Sequence, residues 1–463
     1  MCFANNEKRI LKNRTNVSSK FVLKIKGEVV VKEWYFDPQN KSFQAQIKDF
    51  QALMEISTCF GGTQNGGLHR LTGTAEDHKM RDHFCEWLQH NDFKVHIDPL
   101  GNIFGYFEFD SKLPYILCGS HLDSQPFGGQ YDGVYGVLSA AATLKHIQLQ
   151  VHKLQLKPTH NLAVVCWTNE EGARFQPSLT GSSYYSGQLS LEKAWQCQDI
   201  DQITLKQALQ NMGYLGQHNF EKPVARYLEL HIEQGGILEQ HQKTIGIVEG
   251  TWAALKLKIQ FKGEQNHTGP APMAIRKDAL LGAARTIVKI REYASRYPER
   301  IHSSVGKLEN FPNSPNIVPE RTTLYIELRS AEEDLLIDLE QQLWLDLKEI
   351  TQETATEYEL LSRHFRGSIV LDPSTQEQLI QSATCLGLSV MRLKTIAGHD
   401  AISLSHKVPS NLIFIPSQSG LSHNEAEYST LEDLTSGIQL LTHFLAQQIG
   451  LFQKTGEKIN TCI

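Results

Sequence analysis

The sequence predicts an α/β protein: a mixed, largely parallel sheet with helices on both faces, plus an inserted α+β layer. Two observations carry this. Short apolar runs, such as Tyr115–Cys118 and Asn161–Trp167, alternate with helical patterns, as strands buried on both faces do. From about Gly250 the apolar residues alternate singly, as Leu255, Leu257, Ile259 and Phe261, which marks a sheet with one wet face. After about Gly367 the first pattern returns. The expected organisation is an N-terminal extension of unclear structure over 1–45, a discontinuous domain over 46–250 and 367–463, and an inserted domain over 251–366.

The elements follow in order. Residues 1–20 are polar and basic, and 21–35 alternate like a strand. Thr74-Ala-Glu-Asp77 reads as a capping box before a helix carrying Met80, Phe84, Trp87 and Leu88. Strands are expected at Phe93–Ile97, Ile103–Phe107 and Tyr115–Cys118, and a buried alanine-rich helix over Val134–Ile147. In the inserted stretch a helix from about Arg276 to Tyr293 turns Ala279, Leu280, Ala283, Ile287, Val288 and Ile290 inward. Strands His302–Leu308 and Thr322–Arg329, a helix over Glu332–Thr351 and one more strand complete a ferredoxin-like order. A helix near Thr375–Gly387, a strand at Asn411–Ile415 and a helix over Leu431–Ile449 close the chain.

Composition narrows the function. The 463 residues are 40% hydrophobic and 21% charged, which suits two or three globular domains. The net charge of −6 without a long basic run argues against nucleic acid as the main partner. No apolar stretch approaches the ~20 residues that span a bilayer, and the N-terminus lacks a secretory pattern. The eight cysteines contain no Cys-x-x-Cys pair and read as free thiols in a reducing, cytoplasmic compartment.

The chemistry gathers after strands. Gly119 to Gly136 carries His121, Asp123 and Asp132 among glycines, a combination that suits a divalent-metal loop. Asp123 is placed to hold the His121 ring, and Asp132 to give one oxygen to each of two metals. Glu170 and Glu171 follow the Asn161–Trp167 strand. Glu171 is the candidate ligand and Glu170 the general base, and the chain must turn for both to converge. Leu230-His-Ile-Glu-Gln-Gly235 offers His231, with Glu233 and Gln234 beside it; Gly420-Leu-Ser-His-Asn-Glu425 offers His423. A single histidine after a strand is more often structural. Five such residues, His121, Asp132, Glu171, His231 and His423, at the carboxyl ends of one sheet point to a dinuclear centre. Imidazole and carboxylate without thiolate suit zinc, manganese or cobalt. In the inserted stretch His267 lies on a Gly/Pro-rich loop and can stabilise an oxyanion. Asn316 and Arg329 can bind a substrate carboxylate, although Arg329 also reads as a surface ion pair. The Gly398-His-Asp-Ala401 turn can present a backbone N–H.

These motifs together resemble the carbamoylase–allantoate amidohydrolase branch of the co-catalytic zinc metallopeptidase superfamily, over roughly Phe43 to Phe452. Leu-His-Ile-Glu-Gln-Gly at 230–235 and Ala-Gly-His-Asp-Ala at 397–401 point to this hydantoinase/carbamoylase branch. The resemblance implies two divalent ions per subunit bridged by Asp132, and Glu170 as base. It implies substrate contacts from Gln234, Asn316, Arg329 and Gly398. It also implies a homodimer through the inserted domain, with His267 reaching across it, and a cis bond at Asp132–Gly133. Which histidines share an ion stays open. The implied reaction is hydrolysis of a linear carbamoyl or ureido C–N bond in a small substrate bearing a carboxylate. A dipeptidase or N-acyl-amino-acid hydrolase is the alternative, and a non-catalytic binding homologue a further one. The sequence departs from the family pattern at Gln125-Pro-Phe, where Val-Pro is common, and at Thr268-Gly-Pro, where Ala-Gly-Thr is common.

Overall fold

The computed structural model describes residues 40–451 and the strands of a short hairpin before them, β1 (Leu23–Ile25) and β2 (Glu28–Val30). The hairpin is antiparallel with Leu23 opposite Val30, inside the stretch expected to be strand-like. The other expectations for the first 39 residues lie outside the described residues.

Helices α1 (Lys41–Ser57) and α2 (Ala75–His90) precede β3 (Lys94–Ile97), β4 (Ile103–Phe107) and β5 (Tyr115–His121). Next come α3 (Val134–Leu154), β6 (Asn161–Trp167), three short helices α4 (Thr180–Ser186), α5 (Leu191–Trp195) and α6 (Leu205–Asn211), and β7 (Val224–Ile232). After α7 (Ile237–Gln240) and β8 (Ile245–Thr251) the second sheet begins with β9 (Ala253–Lys262), β10 (Asn266–His267), α8 (Ala279–Arg296) and β11 (His302–Phe311). It continues with β12 (Ile317–Val318), β13 (Arg321–Ser330), α9 (Glu333–Thr354) and β14 (Glu357–Arg366). The chain ends in α10 (Pro373–Cys385), β15 (Val390–Thr395), α11 (Asp400–Leu404), β16 (Ser410–Ile415) and α12 (Leu431–Gln448).

The large sheet has eight strands in the order β15-β8-β16-β7-β5-β6-β4-β3, with helices over both faces. Its centre, β16-β7-β5-β6, is parallel, so these four strands deliver their carboxyl ends to one edge. Every residue of β5 and β6 is buried, which is why their sequences are nearly unbroken apolar runs. β3 and β4 run antiparallel at one side, and β8 is antiparallel to β16 but parallel to β15.

The second sheet, β11-β13-β9-β14, is antiparallel throughout. With α8 and α9 it has the ferredoxin-like arrangement. Leu255, Leu257, Ile259 and Phe261 of β9 pack with Leu324, Ile326 and Leu328 of β13 and with Leu339, Leu343 and Leu347 of α9. Lys256, Lys258 and Lys262 alternate with them outside the buried set, as a one-sided sheet requires.

Several boundaries differ from the sequence reading. β5 runs through His121, so this histidine is the last residue of the strand and not a loop residue. His231 likewise lies inside β7. α8 starts at Ala279, because a 3-10 turn occupies Met273–Ile275 and the Asp278 carboxylate accepts from the N–H groups of Leu280 and Leu281. That register buries Ala279, Gly282, Ala283, Thr286, Ile290 and Tyr293 and leaves Leu280 and Val288 exposed. The Thr74 cap is half a capping box: its hydroxyl accepts from Asp77 N–H, but the Asp77 carboxylate accepts from Gly73 N–H. Asp77 is committed elsewhere, to a fully buried pair with Arg81 at 2.8 Å.

Two stability predictions follow from buried polar groups. Asp77→Ala strands the Arg81 guanidinium in the core and lowers the unfolding free energy by ~3–5 kcal/mol, read by urea denaturation. His146 on α3 and His443 on α12 are held down to about 4 by burial. Between about 4 and the unfolded value of ~6.5 the unfolded chain binds more protons, so stability falls as pH drops through that window, by up to ~1.4 kcal/mol per unit per group. Urea midpoints at pH 7 and pH 5 measure the loss, and a His146→Phe/His443→Phe variant flattens it.

Candidate metal centre

The four parallel strand ends bring the expected residues together. His121 closes β5, and His231 is the penultimate residue of β7. Asp132 lies on the loop between β5 and α3, Glu170 and Glu171 follow β6, and His423 follows β16. The Asp132 carboxylate is the common point. Its Oδ1 lies 3.6 Å from His121 Nε2 and 3.2 Å from His231 Nε2. Its Oδ2 lies 3.2 Å from His423 Nε2, which is 3.5 Å from Glu171 Oε2. The donors thus divide into His121–Asp132–His231 and Asp132–Glu171–His423, each with its ligand atoms within 4.8 Å of one another.

Backbone chemistry fixes the ring tautomers. Nδ1 of His121 meets the Asp123 carbonyl at 2.9 Å, and Nδ1 of His231 meets the Ile232 carbonyl at 2.9 Å. A carbonyl only accepts, so each Nδ1 carries a proton and each Nε2 turns toward Asp132. Asp123 therefore holds the His121 ring through its main chain. Its carboxylate, 3.7 Å from that ring, instead accepts from the Thr72 hydroxyl and the N–H groups of Glu170 and Glu171. Asn169 and Gly172, at φ of 55° and 63°, make the turn that lets both glutamates converge. Glu170 Oε2 sits 3.4 Å from His121 Nε2. The expected cis bond at Asp132–Gly133 is absent among the described residues. Gly133 turns the chain through a φ of 66°, and a Cβ there would stand 2.2 Å from His121 Nε2.

The electrostatics are those of a site short of positive charge. Burial opposes ionisation of Asp132, but hydrogen bonds from His121, His231 and His423 hold it well below the usual carboxylate range. Burial, with Asp132 next door, pushes Glu171 up to about 7. Burial likewise drives Glu170 well up, against the pull of His121, with the Asp400 carboxylate adding to the rise. His121 is raised despite its burial because Glu170, Asp132 and Asp123 surround it. His423 rises to about 9 through its bond to Asp132. Buried carboxylates crowded in this way need protons or bound cations.

The chain matches Peptidase family M20/M25/M40 over residues 117–447. The chain belongs to this family. It is 41% identical over 394 residues to a Mycolicibacterium smegmatis protein named only as a hydrolase, covering 84% of this chain and 90% of that one. It is 33% identical over 409 residues to an N-carbamoyl-L-amino acid amidohydrolase of Geobacillus stearothermophilus, covering 86% and 97%. A solved amidase of the hydantoinase/carbamoylase family from Burkholderia multivorans superposes with a TM-score of 0.76 at 31% identity, covering 87% of this chain and 98% of that one. The M20/M25/M40 match spans all five candidate ligands.

The remaining expected residues are placed as follows. Gln234 donates from Nε2 to Asp132 Oδ2 at 2.8 Å, beside the centre. Glu233 accepts from Ile237 and Leu238 N–H groups and so caps α7 instead of serving the site. His267 and Asn316 stand together on the β10/β12 ribbon, where His267 is opposite Ile317 and the Asn316 carbonyl accepts from Thr268. Both are exposed. Arg329 pairs with Glu327 at 2.8 Å and donates to the Ile396 carbonyl, two residues before Gly398. His399 is buried edge-on against His231, ring centroids 4.6 Å apart. Two groups at the candidate centre escaped the sequence reading. Glu427 accepts from the N–H groups of Tyr131 and Asp132 at 3.0 and 3.1 Å. Arg70, fully buried, holds the Leu122 carbonyl at 2.7 Å. Neither lies in a motif with distinctive spacing.

Adding zinc or manganese to chelator-treated protein is expected to raise the thermal midpoint, by an amount equivalent to ~4 kcal/mol at a thousandfold excess over Kd. Asp132→Ala, which removes the carboxylate both donor groups share, abolishes the shift in the same scan.

Proposed function

We propose that the chain is a metal-dependent amidohydrolase that cleaves the C–N bond of a linear carbamoyl or ureido group, as in an N-carbamoyl-L-amino acid or an allantoate-type compound. The reading is carried by one observation: a single buried carboxylate shared by two donor groups, with a second buried acid, Glu170, alongside. The relative named for N-carbamoyl-L-amino acids supports the substrate class. The donors fit two divalent ions, since the buried acids outnumber the imidazoles and the His121 and His231 rings turn Nε2 inward while main-chain carbonyls hold Nδ1. His121, Asp132 and His231 would hold one ion, and Asp132, Glu171 and His423 the other. Zinc, manganese and cobalt suit this set. Such ions polarise a carbonyl and lower the pKa of water.

The chain's own groups do the rest. Glu170 takes a proton from the attacking water and returns it to the departing nitrogen. The products are the amine and carbamate, which decomposes to ammonia and carbon dioxide. His267 donates to the developing oxyanion. Arg329 and Asn316 bind the substrate carboxylate, Gly398 offers its N–H, and Gln234 contacts substrate through Oε1, which has no partner among the described residues. Residues 251–366 form an inserted unit that pairs with a second copy, so that the exposed His267 serves the other copy's site. The six described cysteines are all free, which supports a reducing, cytoplasmic setting.

Glu170→Gln tests the reading. Bound metal, measured by elemental analysis, stays at the wild-type level, while ammonia release from N-carbamoyl-L-amino acids falls ~10²–10⁴-fold. Unchanged turnover ends the assignment of the base.

A further inference from the structure

The two donor groups are held in different ways. In the first, His121 and His231 are buried, and both rings are fixed by main-chain carbonyls at 2.9 Å. No side-chain substitution removes those partners. In the second, the His423 side chain is 50% exposed, and among the described residues the Glu171 carboxylate accepts hydrogen bonds from one neighbour, Gln125. The Gln125 N–H donates to Glu171 Oε1 at 3.1 Å. Its side-chain Nε2 donates to Glu171 Oε2 at 2.9 Å and lies 3.4 Å from the Glu171 carbonyl oxygen. Oε2 is also the oxygen nearest His423. Gln125 is itself fixed: its carbonyl accepts from Gly128 N–H at 3.2 Å, closing a turn with Phe127 at a φ of 53°.

We propose that Gln125 is a positioning residue for one half of the centre: its side-chain amide orients the Glu171 carboxylate and thereby sets cation affinity at the Asp132–Glu171–His423 group, not at the His121–Asp132–His231 group. This rests on the two-ion reading above. The physical reason is that a carboxylate free to rotate must be ordered by the ion that it binds, whereas one already oriented by an amide donor need not be. A carboxylate oxygen has lone pairs for both an N–H donor and a cation, so the bond to Gln125 leaves Oε2 available. The backbone N–H of Gln125 survives replacement by any residue but proline, so only the Nε2 contacts are put at risk.

The test uses chelator-treated full-length protein titrated with zinc, and separately with manganese, in a calorimeter. Wild type is expected to bind two ions. Gln125→Met keeps the length of the side chain and removes its donors. It is expected to weaken one binding step ~10–100-fold and to leave the other unchanged. Adding Glu171→Gln, which disables the same half, makes the effect of Gln125→Met vanish. The thermal midpoint in excess chelator checks that Gln125→Met is folded. Equal weakening of both steps, or no change in either, overturns the proposal. A different result marks failure of the underlying reading: wild type that takes up one divalent ion or none.

Discussion

The whole edge of the large sheet depends on keeping the Asp132 carboxylate ionised while it is buried. Taking one carboxylate out of water costs several kcal/mol unless charges and hydrogen bonds replace the lost hydration. Here three imidazoles approach its two oxygens from three separate strands and loops, and Gln234 donates to Oδ2. The preceding backbone is also held, because the Glu427 carboxylate takes the N–H groups of Tyr131 and Asp132 and the Ser422 hydroxyl. Sequence segments almost three hundred residues apart thus complete one another. Neither loop has a reason to adopt its shape alone.

The sheet supplies the places, and buried polar side chains supply the orientations. Arg70 donates to the Leu122 carbonyl, between His121 and Asp123, and also to the carbonyls of Ser57 and Phe60. Glu229, one of the deeply buried acids, accepts from the Ser120 hydroxyl with one oxygen and from Ala401 N–H with the other, both at 2.7 Å. That single carboxylate ties the strand that ends in His121 to the Gly398–Ala401 turn. Burying such groups is costly unless every lone pair is used, so they specify geometry more than they add stability.

What could be read from the sequence follows from the same distinction. The one-sided second sheet could be read from period-two alternation in β9, because one of its faces is wet and the pattern is therefore visible, and its ferredoxin-like arrangement from the succession of strands and helices. The five candidate ligands could be read because each follows or ends a buried strand, and the parallel centre of the sheet turns four chain positions into one place in space. β8 and β15 were harder, since Ile245–Thr251 and Val390–Thr395 mix glycine, charge and apolar residues without a clear period. The residues that hold the candidate ligands were hidden for another reason. Asp123 looked like a partner for the His121 ring by spacing, but its carbonyl and carboxylate do different jobs, and a sequence does not distinguish them. Glu427 and Gln125 act across long sequence separations through backbone N–H groups and one amide, which leave no periodic trace.

Arg329 shows how a structural ion pair and a binding role can coexist. Its side chain is 28% exposed, and its guanidinium is shared between Glu327, on its own strand, and the Ile396 carbonyl. A partly exposed pair of this kind is worth ~0–1 kcal/mol, so exchanging Glu327 for an incoming carboxylate costs little. The bond to the Ile396 carbonyl is the more consequential one, because it fixes the arginine on β13 of the second sheet against the segment that leads to Gly398. On the proposed reading, a substrate carboxylate meets a guanidinium already held in place by the main chain. The Glu327 pair then keeps that guanidinium oriented and neutralised until the exchange occurs.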